Sequence, residues 1–480
     1  MCHIVVEPQR ERPAMQYDYD LVTIGAGSGG IAASRRAAAL GARVAIVERG
    51  RVGGTCVLRG CVPKKLLVYA AAYGDALREA AAYGWRVEGE TGFEMLRWAD
   101  AKAAETARLE TVYRQMLEGS GVALVAGTAR LDGPHTVRVD NGERVLTARH
   151  VLIATGSSPV RDSIPGIEHC ATSDDLLDLR ELPREAAVIG AGYIAVEFAG
   201  ALARLGVQVC MYYRDRLPLR GFDDDLRVRT AAALQAAGVE LHPGAAPRKI
   251  QHAGDKTLLV AADGRMRDFG FVLNATGRRP NTVGLGLETL GIVPEPSGAI
   301  AVDAQLRSSA PNVHAIGDVT HRKNLTPVAI AEGRALADSL FGPTPREVDL
   351  SRVASAVFTL PPIGTIGPSE AEAVAAGHRL KVYEADFRPM RTAFIGSAER
   401  SYMKLLVDAD TDRVLGVHML GTDAPEIVQS LAVALTAGAT KAHFDATIAV
   451  HPTAAEEFVL LREPARVVEP KAAVVAAPVG

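Results

Sequence analysis

An alternating stretch from Tyr17 passes into the apolar run Leu21 to Ile24 and stops at a glycine, a pattern that predicts a buried strand. Gly25-Ala-Gly-Ser-Gly-Gly30 follows, then an alanine-rich helical stretch to Leu40, then a second strand from Arg43 to Val47 that ends at Glu48. A strand, glycine turn, helix and strand in this order make a βαβ unit. The order returns later: an apolar strand Ala186 to Ile189, the turn Gly190-Ala-Gly-Tyr-Ile-Ala195, a helix to about Leu205 and a strand Val207 to Tyr212. Two copies imply two nucleotide cofactors, or a duplicated fold in which one copy has lapsed.

Between the copies, Lys64 to Glu118 reads as a helical hairpin and the chain is then β-rich to Ile153. Leu258 to Leu273 reads as short strands with turns. From Arg352 onward, strands around Val357, Leu405 to Val407 and Val414 to Met419 accompany one long helix near Pro425 to Ala437, which predicts a separate α+β domain. No low-complexity linker interrupts the interior.

The length, 480 residues, exceeds what one core organises. Lys and Arg number 53 against 56 Asp and Glu, a net charge of −3, so nothing global favours nucleic acid or an anionic membrane. No apolar run is long enough for a signal peptide or a spanning helix. The ends, Met1 to Ala14 and Glu469 to Gly480, read as disordered by composition, with Met15 an alternative start. Five cysteines, Cys2, Cys56, Cys61, Cys170 and Cys210, are too few and too odd for a secreted disulfide scaffold, and they point to the reducing cytoplasm.

In the first turn, Gly25 suits the tight bend, Gly27 the approach of a pyrophosphate and Gly30 helix–strand packing, while Glu48 is placed to accept from a ribose diol. The second turn has Gly190, Gly192 and Ala195 in the corresponding places. Where an acid would select NAD, the chain has Tyr212-Tyr213-Arg214, with Arg220 six residues on. Guanidinium groups bind a 2′-phosphate that a carboxylate would repel, so NADPH is expected over NADH; the plainer reading is two solvated loop charges.

Gly53-Gly-Thr-Cys56-Val-Leu-Arg-Gly-Cys61-Val-Pro-Lys-Lys65 follows the first unit directly. Two cysteines with four residues between them could be a metal half-site, buried thiols or a redox pair. A metal site needs a second ligand cluster, which the sequence lacks, and buried thiols have no use for flanking glycines and lysines. A redox pair fits, because a helix start or nearby cation favours the thiolate. Cys170 and Cys210 read as inert buried thiols.

This segment resembles the active-site signature of the class I pyridine nucleotide–disulfide reductases, and of the glutathione reductases among them. The likeness runs from about Tyr17 to Arg462 and takes in Ala154-Thr-Gly156, Ala275-Thr-Gly-Arg-Arg-Pro-Asn281, Ala315-Ile-Gly-Asp318 and His451-Pro-Thr-Ala-Ala-Glu456. The resemblance implies an α/β chain with two Rossmann-like dinucleotide-binding domains, for FAD and NADPH, and a C-terminal α+β dimerisation domain. The expected boundaries are an arm at 1–14, the FAD domain at 15–156, the NADPH domain at 157–280, a central segment 281–351 completing the FAD domain, the interface domain at 352–464 and a disordered tail at 465–480.

By the same resemblance, Cys56 is the interchange thiol and Cys61 the thiol beside the flavin. Lys64 and Glu197 form an ion pair near the flavin and nicotinamide, and Tyr193 covers the nicotinamide pocket. His451 and Glu456 are an acid–base pair supplied across a homodimer. FAD falls to Gly25, Gly27, Ser28, Gly30, Glu48, Gly54, Thr55, Thr155, Gly156, Gly317, Asp318 and Thr326. NADPH falls to Gly190, Gly192, Tyr193, Ile194, Ala195, Glu197, Arg214, Arg220, Gly277 and Arg278. Ser28, Arg35, Tyr113 and Arg334 fall where oxidised glutathione is held, and arginines suit a substrate of several carboxylates.

No cysteine follows Cys210, so the C-terminal redox pair of large thioredoxin reductases and mercuric reductases is missing. Lipoamide dehydrogenases carry Ile-Pro-Ser-Lys where this chain has Val-Pro-Lys-Lys, and trypanothione reductases lack the arginine matched by Arg35. The expected enzyme reduces oxidised glutathione with NADPH through FAD, without a metal. The rivals are a non-catalytic flavoprotein that kept the fold and a reductase of another small disulfide.

Overall fold

Continuous apolar strands need cover on both faces, and the strands Tyr19–Ile24 and Val44–Glu48 have it. Val22, Ile24, Ala45 and Val47 enter one core, and Leu21, Val44 and Ile46 enter another. The computed structural model describes residues 17–89, 91–254 and 256–470. The expectations for Cys2, Met15, the arm 1–14 and residues 471–480 lie outside the described residues.

The chain divides into two compact units. The described part of the first comprises 17–54, 111–157 and 280–348, and that of the second 55–89, 91–110, 158–254, 256–279 and 349–470. In the first unit, Ala123–Ala126, Val44–Glu48, Tyr19–Ile24 and Arg144–Ile153 run parallel in that order. Val313–Ala315 adds a parallel partner to the end of Arg144–Ile153, whose beginning pairs antiparallel with Thr136–Val139. Helices Ser28–Ala39 and Thr326–Phe341 pack together on this sheet.

The second unit holds a parallel sheet ordered Glu240–Pro243, Gln208–Tyr213, Glu185–Ile189, Val272–Asn274, with helix Tyr193–Arg204 packed on it. It also holds the antiparallel ribbon Pro247–Ala253, Lys256–Ala261, Met266–Phe269. A six-stranded sheet over 355–468 lies under helix Ala424–Thr436.

Two expectations change. Residues 55–110, assigned by sequence to the first nucleotide domain, group with the second unit. The cause is packing: helix Cys61–Glu79 buries Leu67 in one cluster with Ala195, Val196 and Phe198 of helix Tyr193–Arg204. The tail expected to be disordered from 465 begins as structure instead. Arg466–Val468 pairs antiparallel with Leu380–Val382, and Arg466 Nη1 donates to Glu384 at 2.6 Å. A three-residue edge strand takes its order from its partner, so composition carried no sign of it.

Candidate active site

At the first turn, Gly25 sits at φ +105°, and a Cβ there would lie 2.5 Å from the Ala154 carbonyl oxygen. Only glycine meets both demands. Gly27 is the extended N-cap of helix Ser28–Ala39, and no side chain caps that helix. Its first N–H groups are therefore left for another acceptor, the kind of donor set a pyrophosphate uses. Gly54 closes on the same turn: a Cβ on it would come within 2.6 Å of Gly27 Cα.

Glu48, expected at a ribose, also braces the turn. Its Oε2 accepts from Ala26 N at 2.7 Å and its Oε1 from Gly50 N at 2.8 Å. Thr155 Oγ1 donates to the Asn281 carbonyl at 2.8 Å, and Asn281 Nδ2 returns a bond to the Thr155 carbonyl at 2.9 Å, which joins the Ala154-Thr-Gly156 motif to residue 281. Asp318 accepts from Ser157 Oγ at 2.8 Å. Beside it, Gly317 N donates at 2.7 Å to Glu332, which is fully buried and ion-paired to Arg322. Sequence reasoning missed Glu332 because no motif surrounds it. Arg35 Nε donates to Ser120 Oγ at 3.1 Å, Tyr113 packs against an apolar cluster, and Arg334 is exposed. All of these groups belong to the first unit.

In the second unit, Cys56 lies half-buried in the short helix Gly54–Leu58, and Cys61 is exposed as the first residue of helix Cys61–Glu79. The two lie close together. A sulfur at a helix start is favoured as thiolate by the positive end of the dipole. One turn on, Lys64 pairs with Glu197, whose side chain is only 3% exposed against 14% for Lys64. Glu197 Oε1 also accepts from Phe358 N at 2.8 Å, and the Phe358 ring lies under both Lys64, at 4.6 Å, and Lys65, at 3.6 Å. Burial pulls the Lys65 ammonium below its usual range, Glu426 opposing and Lys64 adding. Phe358 was not legible in the sequence, since nothing near it marks a partner of Glu197.

The second glycine turn repeats the first. Gly190 has φ +121°, and a Cβ on it would meet the Ala275 carbonyl oxygen at 2.3 Å. Gly192 caps helix Tyr193–Arg204 without a side chain, Ala195 is fully buried, and the Tyr193 ring is 42% exposed at the helix start beside Ile194. Arg214 and Arg220 are exposed on the loop that follows strand Gln208–Tyr213. Leu219 N bonds Ala191 O at 2.8 Å, so this loop is tied back to the turn. Gly277 O accepts from Val160 N at 3.0 Å, and Arg278 beside it is half-buried.

His451 Nδ1 meets the Glu456 carboxylate at 3.0 Å; the imidazole is 80% exposed and Glu456 is 12% exposed. The carboxylate fixes one ring nitrogen and leaves the other facing outward, the arrangement of an oriented acid–base histidine. Burial pushes the Cys170 thiol up to about 11. Burial, with a hydrogen bond to Glu240, pushes Cys210 up to about 12. Neither is a nucleophile near neutrality.

Comparison with known proteins agrees with this geometry. Residues 19–333 match the family described as pyridine nucleotide-disulphide oxidoreductase, and residues 353–462 match the dimerisation domain of that family. The chain is 46% identical to a glutathione reductase of Burkholderia cepacia over 93% of this chain and 99% of that one. It is 44% identical to the chloroplastic/mitochondrial glutathione reductase of Pisum sativum, over 95% and 84% of the two chains. It is 40% identical to a trypanothione reductase of Trypanosoma congolense, over 94% and 96%.

Proposed function

The chain belongs to the pyridine nucleotide-disulphide oxidoreductase family, and we propose that it is the NADPH-dependent flavoenzyme that reduces oxidised glutathione to two glutathione molecules. The observation that carries the reading is the helix that opens with Cys61 and, one turn later, presents Lys64 to the buried Glu197 of the second nucleotide unit. One segment thereby links the two cysteines to the helix that follows the second glycine turn, where the nicotinamide would lie. A lapsed flavoprotein would have no reason to bury that pair.

The residues fit both cofactors. The glycine cradle at 25–30, Gly54, Thr55, Thr155, Gly156, Gly317, Asp318 and Thr326 would hold FAD. Gly190, Gly192, Ala195, Gly277, Arg278, Arg214 and Arg220 would hold NADPH, with Tyr193 over the nicotinamide pocket. FAD, when bound, supplies the step that turns a hydride into two electrons for a disulfide.

The protein's own residues carry the rest. Reduced Cys56, as thiolate, attacks one sulfur of oxidised glutathione; the S–S bond breaks, and the departing glutathione thiolate takes a proton from His451. Cys61, as thiolate, then attacks the Cys56 sulfur of the mixed disulfide, re-forming Cys56–Cys61 and releasing the second glutathione as a thiolate that takes its proton from solvent. Glu456 orients the imidazole and stabilises its protonated form. Arg35 and Arg334 neutralise the substrate carboxylates, and Ser28 and Tyr113 complete the subsite.

The match of 353–462 to a dimerisation domain supports a homodimer; in it, His451 would come from the partner subunit, as the resemblance implies. No described helix is long and apolar enough to cross a membrane, and the sparse cysteines favour the cytoplasm. The test is NADPH oxidation against oxidised glutathione, cystine, lipoamide and oxidised trypanothione. Oxidised glutathione should have the highest kcat/KM; a higher value for another disulfide overturns the substrate assignment. Two-electron reduction should give the long-wavelength absorbance of a flavin–thiolate contact, and its retention in Cys61→Ser would overturn the dithiol assignment.

A further inference from the structure

On one face of the second nucleotide sheet, strands Gln208–Tyr213 and Glu240–Pro243 pair in parallel with Cys210 opposite Glu240 and Tyr212 opposite His242. Side chains two apart on a strand share a face, so this register gathers a thiol, a carboxylate and an imidazole at one point. The Cys210 thiol donates to Glu240 Oε2 at 3.1 Å, and His242 Nε2 lies 3.0 Å from Glu240 Oε1. All three donor atoms fall within 4.8 Å of one another.

His242 Nε2 is buried and lacks the alignment of a hydrogen bond to Glu240 or to any other described residue. Its direction is nonetheless fixed, because Tyr212 stacks flat on the ring at 4.5 Å and 6°. Arg267 Nη1 donates to Glu240 Oε2 at 3.0 Å and orients the carboxylate, while Glu185, 3.6 Å from Arg267 Nη2, gives that guanidinium a second counter-charge. A buried ring nitrogen without a hydrogen bond, a buried sulfur and a braced carboxylate make a set of metal-capable donors.

We propose that Cys210, Glu240 and His242 form a binding site for a zinc ion. Sulfur, nitrogen and oxygen donors together suit zinc better than magnesium or calcium, which take oxygen alone. Around a tetrahedral zinc the donor atoms stand roughly 3.4–3.7 Å apart, so the observed cluster needs only side-chain adjustment to close on the ion. The fourth position is left to water. Binding replaces the S–H bond of Cys210 by a sulfur–zinc bond and releases that proton to solvent. The site is independent of the Cys56–Cys61 chemistry and does not rest on the substrate assigned above.

The experiment uses the FAD-loaded enzyme with Cys56 and Cys61 oxidised, so that those sulfurs offer no thiolate. Zinc is titrated in, excess is removed by gel filtration, and bound metal is counted in wild type, Cys210→Ala and His242→Gln. Wild type should retain about one zinc per chain, and each variant should bind at least tenfold more weakly. With cobalt as the probe, wild type should show a near-ultraviolet sulfur-to-metal band that Cys210→Ala lacks. FAD content and NADPH oxidation check that each variant folds; if Cys210→Ala does not fold, His242→Gln and the cobalt band carry the test. No retention by wild type, equal retention by the variants, or cobalt bound without the sulfur band overturns the site.

Discussion

Replacing Lys64 with Met removes the ammonium from a carboxylate that has almost no water. Glu197 is 3% exposed and would keep one donor, the Phe358 N–H at 2.8 Å. Stranding one member of a buried pair costs about 3–5 kcal/mol, and the low exposure of both partners puts this case inside that range. Glu197→Gln should cost less, about 2 kcal/mol. The amide oxygen can still accept from Phe358, and Lys64 stays 4.6 Å from the Phe358 ring as a cation–π contact. The double variant strands no charge, so its cost should fall short of the sum of the two by at least about 1 kcal/mol. Urea unfolding followed by tryptophan fluorescence reads these values, since Trp98 packs against the cluster that holds the flanking Val196 and Phe198. The rate of flavin reduction by NADPH, read on the same proteins, should fall in both single variants. A Lys64→Met protein within about 1 kcal/mol of wild type, or strict additivity in the double variant, would refute the reasoning.

Burial, reinforced by His150 and Arg307, holds the His314 imidazole down at about 4. The unfolded chain takes up that proton near 6.5, so stability falls as pH drops from about 6.5 toward 4, by about 3 kcal/mol. His314→Leu should flatten the loss between pH 7 and 5 in urea midpoints, and an unchanged slope would show that His314 is not its source. Neutralising Arg214 and Arg220 together should raise KM for NADPH at least tenfold more than KM for NADH; equal changes would mean that these arginines do not read the 2′-phosphate. Mixing inactive Cys56→Ser and His451→Ala proteins under verified subunit exchange should restore part of the activity, because a shared-site dimer then has one intact site. No recovery would end the shared-site proposal.

The sequence alone determined what is encoded over short spans. Both βαβ units, the glycines of their turns and the Cys56–Cys61 spacing are readable because their constraints act within about thirty residues. A positive φ at Gly25 or Gly190 is paid for in residue identity on the spot. His451 and Glu456 were picked out only through the resemblance of His451-Pro-Thr-Ala-Ala-Glu456 to the family, and the structure sets them 3.0 Å apart.

The tertiary structure decided what depends on which distant segments meet. Phe358 reaches Glu197 across 161 positions, and Glu332 reaches Gly317 from another element. Residues 55–110 followed the helix they pack against rather than the strands they follow. Arg466–Val468 became a strand because Leu380–Val382 had an open edge. Cys210, Glu240 and His242 came together only through the register of two parallel strands. Such meetings leave no period or spacing in the chain, because the energy that selects them is shared between segments that carry no local mark of each other.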